Sequence, residues 1–442
     1  MLQEDGGGCM MLFHFVGIKG TGMSALAQIL DDMGYQVQGS DVTTYYFTQE
    51  ALEGKNIPLF PFSAENIRSG MTVIAGNAFP DEHEEIVRAK ELNLPIYRYH
   101  QYLAQLAGRY VSIAVTGSHG KTSTTGMAAH VLEAVQPTSY LIGDGTGKGN
   151  KAGHYFIYEA CEYRRHFLAY QPDFLLITNI DFDHPDYYKD IEDVFDAFQS
   201  LVRQTRKGIV ACGDDIYVRR LQTDLPVLYF GVGENNQLRA TEIEVTAEGM
   251  RFHVTYQGES LGQFLIPLFG QHNVLNALAV LGLCVAEGLP IDAVRKQLAT
   301  FPGVKRRFTE KEWHNNNILI DDYAHHPVEI KATIAAVRAK YPSRKLVAIF
   351  QPHTYTRTEK FLDEFVEALS DSDDVFLCDI FSSAREKKGN LTVDDLLRKL
   401  PDAKLVGVDS VHLLQHYRDA VLLFMGAGDI QKVQQALEKS VV

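Results

Sequence analysis

The sequence predicts an α/β protein built of three units in series, and three observations carry that prediction. Short apolar runs of strand length alternate with stretches of helical spacing, two glycine-rich turns each follow such a run and open a helix, and polar residues gather where the runs end. Strands separated by helices pair in parallel, because the crossover helix returns the chain to the same end of the sheet.

The first unit spans 12–100. Leu12–Val16 is an apolar run followed by glycines, and Ser24–Met33 has helical spacing. Tyr35–Val37 is the next strand signal, ending at Gly39-Ser40-Asp41, and Val73–Ala75 and Pro95–Tyr97 are two more. The second unit spans 101–303. Val111–Val115 opens it with its own glycine loop, and Phe156–Tyr158 and Phe174–Thr178 follow, each with polar residues at its carboxyl end. Gln237–Tyr256 alternates apolar and polar residues and predicts an antiparallel edge; Asn273–Gly288 predicts a buried helix. Phe301-Pro302-Gly303 predicts a linker. The third unit spans 304–442, with strands expected at Ile318–Ile320, Leu346–Phe350, Val375–Cys378 and Val421–Met425.

Composition narrows the function. The 442-residue chain is 45% hydrophobic and 22% charged, the balance of an ordinary globular protein. A net charge of -14 disfavours a nucleic-acid binder, which presents a basic face. The five cysteines are scattered and form no CxxC, so neither a disulfide framework nor a structural zinc site is expected, and a reducing cytoplasmic setting is. No apolar run reaches about 18 residues, so no membrane insertion is expected. Met1–Met10 is acidic and Gly-rich, lacks the basic and apolar regions of a signal peptide, and reads as a flexible extension.

The central motif is Val115-Thr116-Gly117-Ser118-His119-Gly120-Lys121-Thr122-Ser123, between an apolar strand and a helix-compatible stretch. Glycines let successive N–H groups turn toward phosphate oxygens, and the helix N-terminus adds partial positive charge. Lys121 can reach the outer phosphates and the Thr122 hydroxyl can ligate Mg²⁺. The G-x-x-G-K-T spacing is two residues shorter than the common phosphate loop and by itself indicates only a nucleotide phosphate. Mg²⁺ needs further oxygen ligands, and Glu159 and the Asn179, Asp181, Asp183, His184, Asp186 cluster lie at predicted strand ends, where ligands gather in open sheets. The cluster also suits an acidic turn with a helix cap at Asp183 or Asp186.

The first glycine loop, Gly17-Ile18-Lys19-Gly20-Thr21-Gly22-Met23-Ser24, departs from G-x-G-x-x-G, which counts against a nicotinamide cofactor, yet suits a diphosphate at a helix N-terminus. Asp41 is placed to take a ribose hydroxyl or a base edge. In the third unit, Asp321–Pro327, Gln351–Arg357 and the basic Lys305-Arg306-Arg307 at the junction point to a shared anionic site, because forked guanidinium groups match phosphates and carboxylates.

Taken in this order and spacing, the two glycine loops, together with Asp322-Tyr323-Ala324-His325-His326-Pro327 and Gln351-Pro352-His353, resemble the Mur ligase family from Met11 onward. The resemblance implies a UDP-binding Rossmann-like domain, a central ATPase and a C-terminal dinucleotide-fold domain. It implies ATP-dependent ligation of L-alanine to the lactyl carboxylate of UDP-N-acetylmuramate through an acyl phosphate, by a monomer or weak homodimer.

It also implies roles. Gly20, Thr21, Gly22, Met23, Ser24 and Asp41 would bind the UDP-sugar. Gly117, Ser118, His119, Gly120, Lys121, Thr122 and Ser123 would hold the ATP phosphates, with Arg306 close by and Asn273 and Asn276 at the adenine. Thr122 and Glu159 would ligate one Mg²⁺ and His184 a second. Tyr323, His325 and Arg357 would lie near the acyl group and the incoming amino acid, with His325 a candidate base for its amine. The sequence departs from the family's pattern at Glu159-Ala160-Cys161-Glu162-Tyr163-Arg164-Arg165, which leaves the role of Glu162 open, and at Thr354, where many relatives carry arginine. Lys189 is not assigned the metal-bridging role of a carbamoylated lysine.

Overall fold

The computed structural model describes residues 11–382, 389 and 391–440; the extension expected at Met1–Met10 lies outside the described residues. Three sheets follow one another along the chain. The first holds β1 (Leu12–Val16), β2 (Gln36–Ser40), β3 (Leu59–Phe60), β4 (Met71–Ala75) and β5 (Ile96–Arg98), all parallel, in the order β3-β2-β1-β4-β5. Expected strands thus form its centre, and the two-residue edge strand β3 is too short to leave a periodic signal.

The middle sheet holds β6 (Val111–Thr116), β7 (Thr138–Leu141), β8 (Gly147–Lys148), β9 (Tyr155–Glu159), β10 (Phe174–Ile177), β11 (Gly208–Cys212), β12 (Val227–Gly231), β13 (Leu238–Thr246), β14 (Gly249–Tyr256) and β15 (Glu259–Ile266). Its order is β15-β14-β13-β12-β11-β10-β6-β9-β7-β8. The antiparallel edge extends beyond the expected Gln237–Tyr256 to a third strand, β15, whose sequence ESLGQFLI is polar over its first half. The parallel centre is buried on both faces: β10 and β11 have no exposed residue. Helix Gln271–Ala286 covers this centre, and eleven of its sixteen residues are buried, because it lies between the sheet and helix Lys121–Glu133.

The third sheet holds β16 (Thr309–Trp313), β17 (Asn317–Asp322), β18 (Lys345–Phe350), β19 (Asp374–Leu377), β20 (Lys404–Leu405) and β21 (Ala420–Met425), in the order β16-β17-β21-β18-β19-β20 with only β16 antiparallel. β16 reads TEKEW, an amphipathic edge without the apolar run that marks its neighbours.

The first and second domains meet backbone to backbone. A Cβ on Gly147 would stand 2.0 Å from the Ala25 carbonyl oxygen, and one on Gly149 2.2 Å from that of Ile29, so the β7–β8 hairpin lies directly on helix Thr21–Asp32. Gln28 Nε2 donates to the Gly145 carbonyl at 2.8 Å in the same contact. The third domain joins through side chains, among them Asp144, which accepts from the Lys305 N–H at 3.0 Å. The carboxyl ends of β6, β9 and β10 thereby face those of β17 and β18, the position where open parallel sheets gather ligands.

Candidate active site

The turn after β6 is a preformed anion cradle. Gly120, at φ +82°, caps helix Lys121–Glu133, and no side chain occupies that N-terminus, so its free N–H groups point into the turn. The loop is pinned from behind: His119 N–H donates to Asn179 Oδ1 at 2.9 Å, Asn179 Nδ2 returns to the His119 carbonyl at 3.0 Å, and Ser118 Oγ donates to the Asp181 carbonyl at 2.9 Å. The Asn179–Asp181 segment therefore shapes the loop, and the caps foreseen at Asp183 or Asp186 fall instead to Asp190, which starts helix Ile191–Gln204. Lys121 Nζ folds over the turn, donating to the carbonyls of Gly117 at 2.6 Å and Ser118 at 3.0 Å, and pairs with Glu162 Oε2 at 2.9 Å.

Glu162 thus has a place in the site. Burial alone would raise its pKa, but the Lys121 charge and the His184 contact outweigh burial and hold the carboxyl below its ordinary range. Glu159 shows the opposite balance: burial keeps it above the ordinary range despite nearby Lys121 and the Thr122 hydroxyl, which donates to its Oε2 at 2.9 Å. A Cβ on Gly143 would stand 2.1 Å from that same oxygen, so any side chain there would displace the Glu159 carboxylate. His184 sits at φ +56°, a costly conformation for a non-glycine residue, with Nε2 3.5 Å from Glu162 Oε1. That Oε1 is buried without a hydrogen-bond partner. A hydroxyl, a carboxylate held above its usual pKa and a second carboxylate with an unmatched oxygen are a donor set that suits a divalent cation.

Two cavities flank the loop. One, about 490 Å³, runs between Phe269, Phe301, Phe308 and the helix positions Asn273 and Asn276. Ser123 and Gly120 line its loop side. Asn276 Nδ2 donates to Asn273 Oδ1 at 3.2 Å and Asn273 Nδ2 to the Phe269 carbonyl at 2.8 Å, so both buried amides are oriented, and Asn276 abuts Gly120. The other, about 340 Å³, collects Thr21 and Gly22 from the first domain, Lys121, Thr122, Glu159 and His184 from the second, and Arg306, Tyr323 and His325 from the third. Three sequence-distant loops therefore converge on one space.

Gly20, Met23, Ser24, Asp41 and Arg357 line neither cavity. Met23 and Ser24 are buried in helix Thr21–Asp32, Ser24 Oγ donating to the Thr48 carbonyl at 3.3 Å, and Gly20 caps the helix. Asp41 accepts from the N–H groups of Lys19 and Val42, both at 2.8 Å, and so fixes the first glycine loop to the end of β2. Burial raises its pKa against those two bonds. Arg306 donates to the Gly426 carbonyl at 2.8 Å, its guanidinium over the Tyr323 ring, while Arg307 lines both cavities. Arg357 is buried against Asp183.

Glu329 is a residue the sequence reading missed. It lies in the first turn of helix Pro327–Lys340, where an acid reads as a dipole complement. In the structure its Oε2 accepts from the His325 N–H at 3.1 Å, and its Oε1 lies 3.4 Å from His119 Nδ1 and 3.9 Å from Arg307. Burial pushes its pKa up, but His325, His119 and Arg307 together hold it well below the ordinary carboxylate range.

A short phosphate loop on the middle of three α/β domains, with a second glycine loop and the basic Lys305-Arg306-Arg307 cluster of the third domain facing the same cavity, defines an ATP-dependent ligase that assembles its site between domains. The chain belongs to the Mur ligase family, whose members are ATP-dependent ligases of peptidoglycan precursor synthesis. Its residues 12–111 match the Mur ligase family catalytic domain, 115–284 the Mur ligase middle domain and 306–430 the Mur ligase glutamate ligase domain. The chain is similar to the UDP-N-acetylmuramate-alanine ligase MurC of Thermotoga maritima, with a TM-score of 0.82 and 29% identity over 98% of this chain and 99% of that one. It is also similar to a UDP-N-acetylmuramate:L-alanyl-gamma-D-glutamyl-meso-diaminopimelate ligase of Neisseria meningitidis, with TM-score 0.60 and 27% identity over 67% of this chain and 100% of that one. A murein peptide ligase of Psychrobacter arcticus shares the fold, with TM-score 0.71 and 23% identity over 97% and 99% of the two chains. Among the described residues no helix is long and apolar enough to cross a membrane.

Proposed function

We propose that this protein joins L-alanine to the lactyl carboxylate of UDP-N-acetylmuramate in the cytoplasm, using ATP and passing through an acyl phosphate. The observation that carries this reading is the convergence of the Thr21-Gly22 helix N-terminus, the Lys121 loop and the Arg306–Tyr323–His325 group on one cavity of about 340 Å³. Whole-chain likeness to an alanine ligase supports the choice of amino acid.

The Thr21-Gly22 turn takes the diphosphate of the sugar nucleotide on its unpaired N–H groups. Asn273 and Asn276 receive the adenine, and Gly117 to Ser123 cradle the triphosphate. Lys121 leaves the loop carbonyls for the outer phosphates, and its charge stabilises the oxygens of the γ-phosphoryl group as it passes to the carboxylate. Thr122 and Glu159, with Glu162 and His184 opposite, would hold Mg²⁺, which when bound supplies neutralising charge at the phosphates. The acyl phosphate then meets the neutral amine of alanine, whose carboxylate Arg357 receives. His325, held by Glu329, accepts the amine proton. The third domain closes over the second, excluding water from the acyl phosphate.

The test is phosphate release from ATP with UDP-N-acetylmuramate, Mg²⁺ and one acceptor at a time. L-alanine should support turnover and the L-alanyl-γ-D-glutamyl-diaminopimelate tripeptide should not. Turnover with the tripeptide alone would assign the protein to peptide re-use instead, the reading that likeness to the Neisseria ligase would favour.

A further inference from the structure

The chain leaves β9 through Glu159-Ala160-Cys161-Glu162, and the turn sets a thiol beside the phosphate loop. Donor atoms of Cys161, Glu162 and His184 all lie within 4.8 Å of one another. Cys161 is exposed and lines the 340 Å³ cavity. Glu162, 2% exposed, spends Oε2 on Lys121, leaving Oε1 buried without a hydrogen-bond partner and 3.5 Å from His184 Nε2. A buried carboxylate oxygen facing an imidazole nitrogen and a thiol sulfur, with nothing to accept, points to a cation between them.

We propose that Cys161 Sγ, His184 and Glu162 Oε1 form a binding site for a borderline-soft divalent metal, zinc above all. Mg²⁺ selects oxygen ligands, whereas a sulfur–nitrogen–oxygen set selects zinc and its neighbours in the transition series. Tetrahedral zinc with bonds of about 2.0 Å to nitrogen and oxygen separates those two ligands by roughly 3.3 Å. The 3.5 Å here needs almost no movement. The fourth position faces the cavity, as in an open site. Lys121, on the other oxygen of Glu162, fixes the carboxylate from behind.

On binding, the S–H bond breaks, a Zn–S bond forms and one proton goes to solvent, with no change of oxidation state. An ordinary thiol is protonated near neutrality and gives up its proton only as metal binds. Occupancy engages Glu162 and His184, both beside the phosphate loop, so zinc inhibits the ligase and a chelator restores it. The inference is independent of which amino acid is ligated.

The experiment is titration of metal-free full-length protein with Co²⁺, read by absorption and proton release. The expected result is a near-ultraviolet thiolate-to-cobalt charge-transfer band that saturates at one ion per chain with one proton released. Zinc displaces it, and millimolar Mg²⁺ does not. Cys161→Ser should abolish the band and weaken zinc binding at least about tenfold, whereas Cys9→Ser should leave both unchanged. Absence of the band in the unaltered protein, or its survival in Cys161→Ser, overturns the proposal. Neither readout uses ligation, so failure here and failure of the alanine reading are separable.

Discussion

Arg357 donates through both Nε and Nη2 to a single oxygen of Asp183, at 3.0 and 2.8 Å, across the boundary between the middle and C-terminal domains. Both side chains are almost fully buried, at 5% and 6% exposure. Burial raises the Asp183 pKa, yet the charges of His184 and Arg357 hold it well below the carboxylate range. Removing one partner of such a pair leaves an uncompensated buried charge, at about 3–5 kcal/mol. Asp183→Ala is therefore expected to destabilise the protein on that scale in thermal or denaturant unfolding. The double variant Asp183→Ala/Arg357→Ala should cost less than the sum of the two single changes. Arg357→Lys, which loses the fork, should raise KM for the amino acid about tenfold or more while leaving KM for ATP near its starting value. Equal effects on both substrates would place Arg357 in domain closure alone.

Lys121 is the phosphate ligand of the proposed reaction, and its removal tests that assignment directly. Lys121→Ala should lower kcat/KM for ATP by about a thousandfold, a loss of roughly 4 kcal/mol of transition-state stabilisation. Binding of the UDP-sugar alone, measured by calorimetry, should change less than about threefold, because the Thr21-Gly22 turn belongs to another domain. Near-normal ligation by the variant would remove the phosphate-loop assignment.

His119 makes domain contact pH-dependent. Its ring lies 3.1 Å from Asp181 and 3.4 Å from Glu329, one acid from each side of the domain boundary. Burial lowers its pKa, but those two acids outweigh burial and raise it from 6.5 to about 9. A group whose folded value is raised stabilises fully below its unfolded value and loses that contribution as pH climbs through the folded value. The stabilisation should thus be complete below pH 6.5 and vanish progressively toward pH 9. The shift corresponds to about 3 kcal/mol. The unfolding temperature should fall across that window in the unaltered protein and much less in His119→Gln. An unchanged slope would assign the pH dependence elsewhere.

Much of this site was legible in the chain because loops that bind phosphate announce themselves. A glycine turn between an apolar strand and a helix fixes both geometry and chemistry locally, and the Lys121 turn and the Thr21-Gly22 turn lie where the spacing places them. Glu329 was not legible in the same way. Its role arises from contacts across domains, more than two hundred positions apart for His119 and Glu329, and no local pattern marks an acid in a first helical turn as a hub. Asp41 shows the converse: a carboxylate after the second strand fits a ribose partner by analogy, yet its oxygens hold the backbone of Lys19 and Val42. Among the strands that escaped notice, β3, β8, β15, β16 and β20 are edges, where one face meets solvent and the apolar signal halves, whereas β7, β11 and β12 lie inside the middle sheet as runs of only four or five residues.

Gly143 gives the sharpest test of the oxygen ligands. Nothing in its sequence context marks it, yet a Cβ there would stand 2.1 Å from Glu159 Oε2 and 2.9 Å from Oε1, distances that force the carboxylate to move. Because Glu159 ends β9 and Thr122 lies in the first turn of a helix, neither backbone can yield easily, and the carboxylate must swing away from the Thr122 hydroxyl it accepts from at 2.9 Å. Gly143→Ala should then weaken the cation site without touching any ligand. The expected outcome is an apparent Mg²⁺ requirement raised about tenfold or more, with KM for the UDP-sugar little changed and partial recovery at high Mg²⁺. Recovery should be greater still in the double variant Gly143→Ala/Glu159→Asp, whose shorter acid makes room for the added methyl. A Gly143→Ala protein with an unchanged Mg²⁺ titration would show that Glu159 holds no cation.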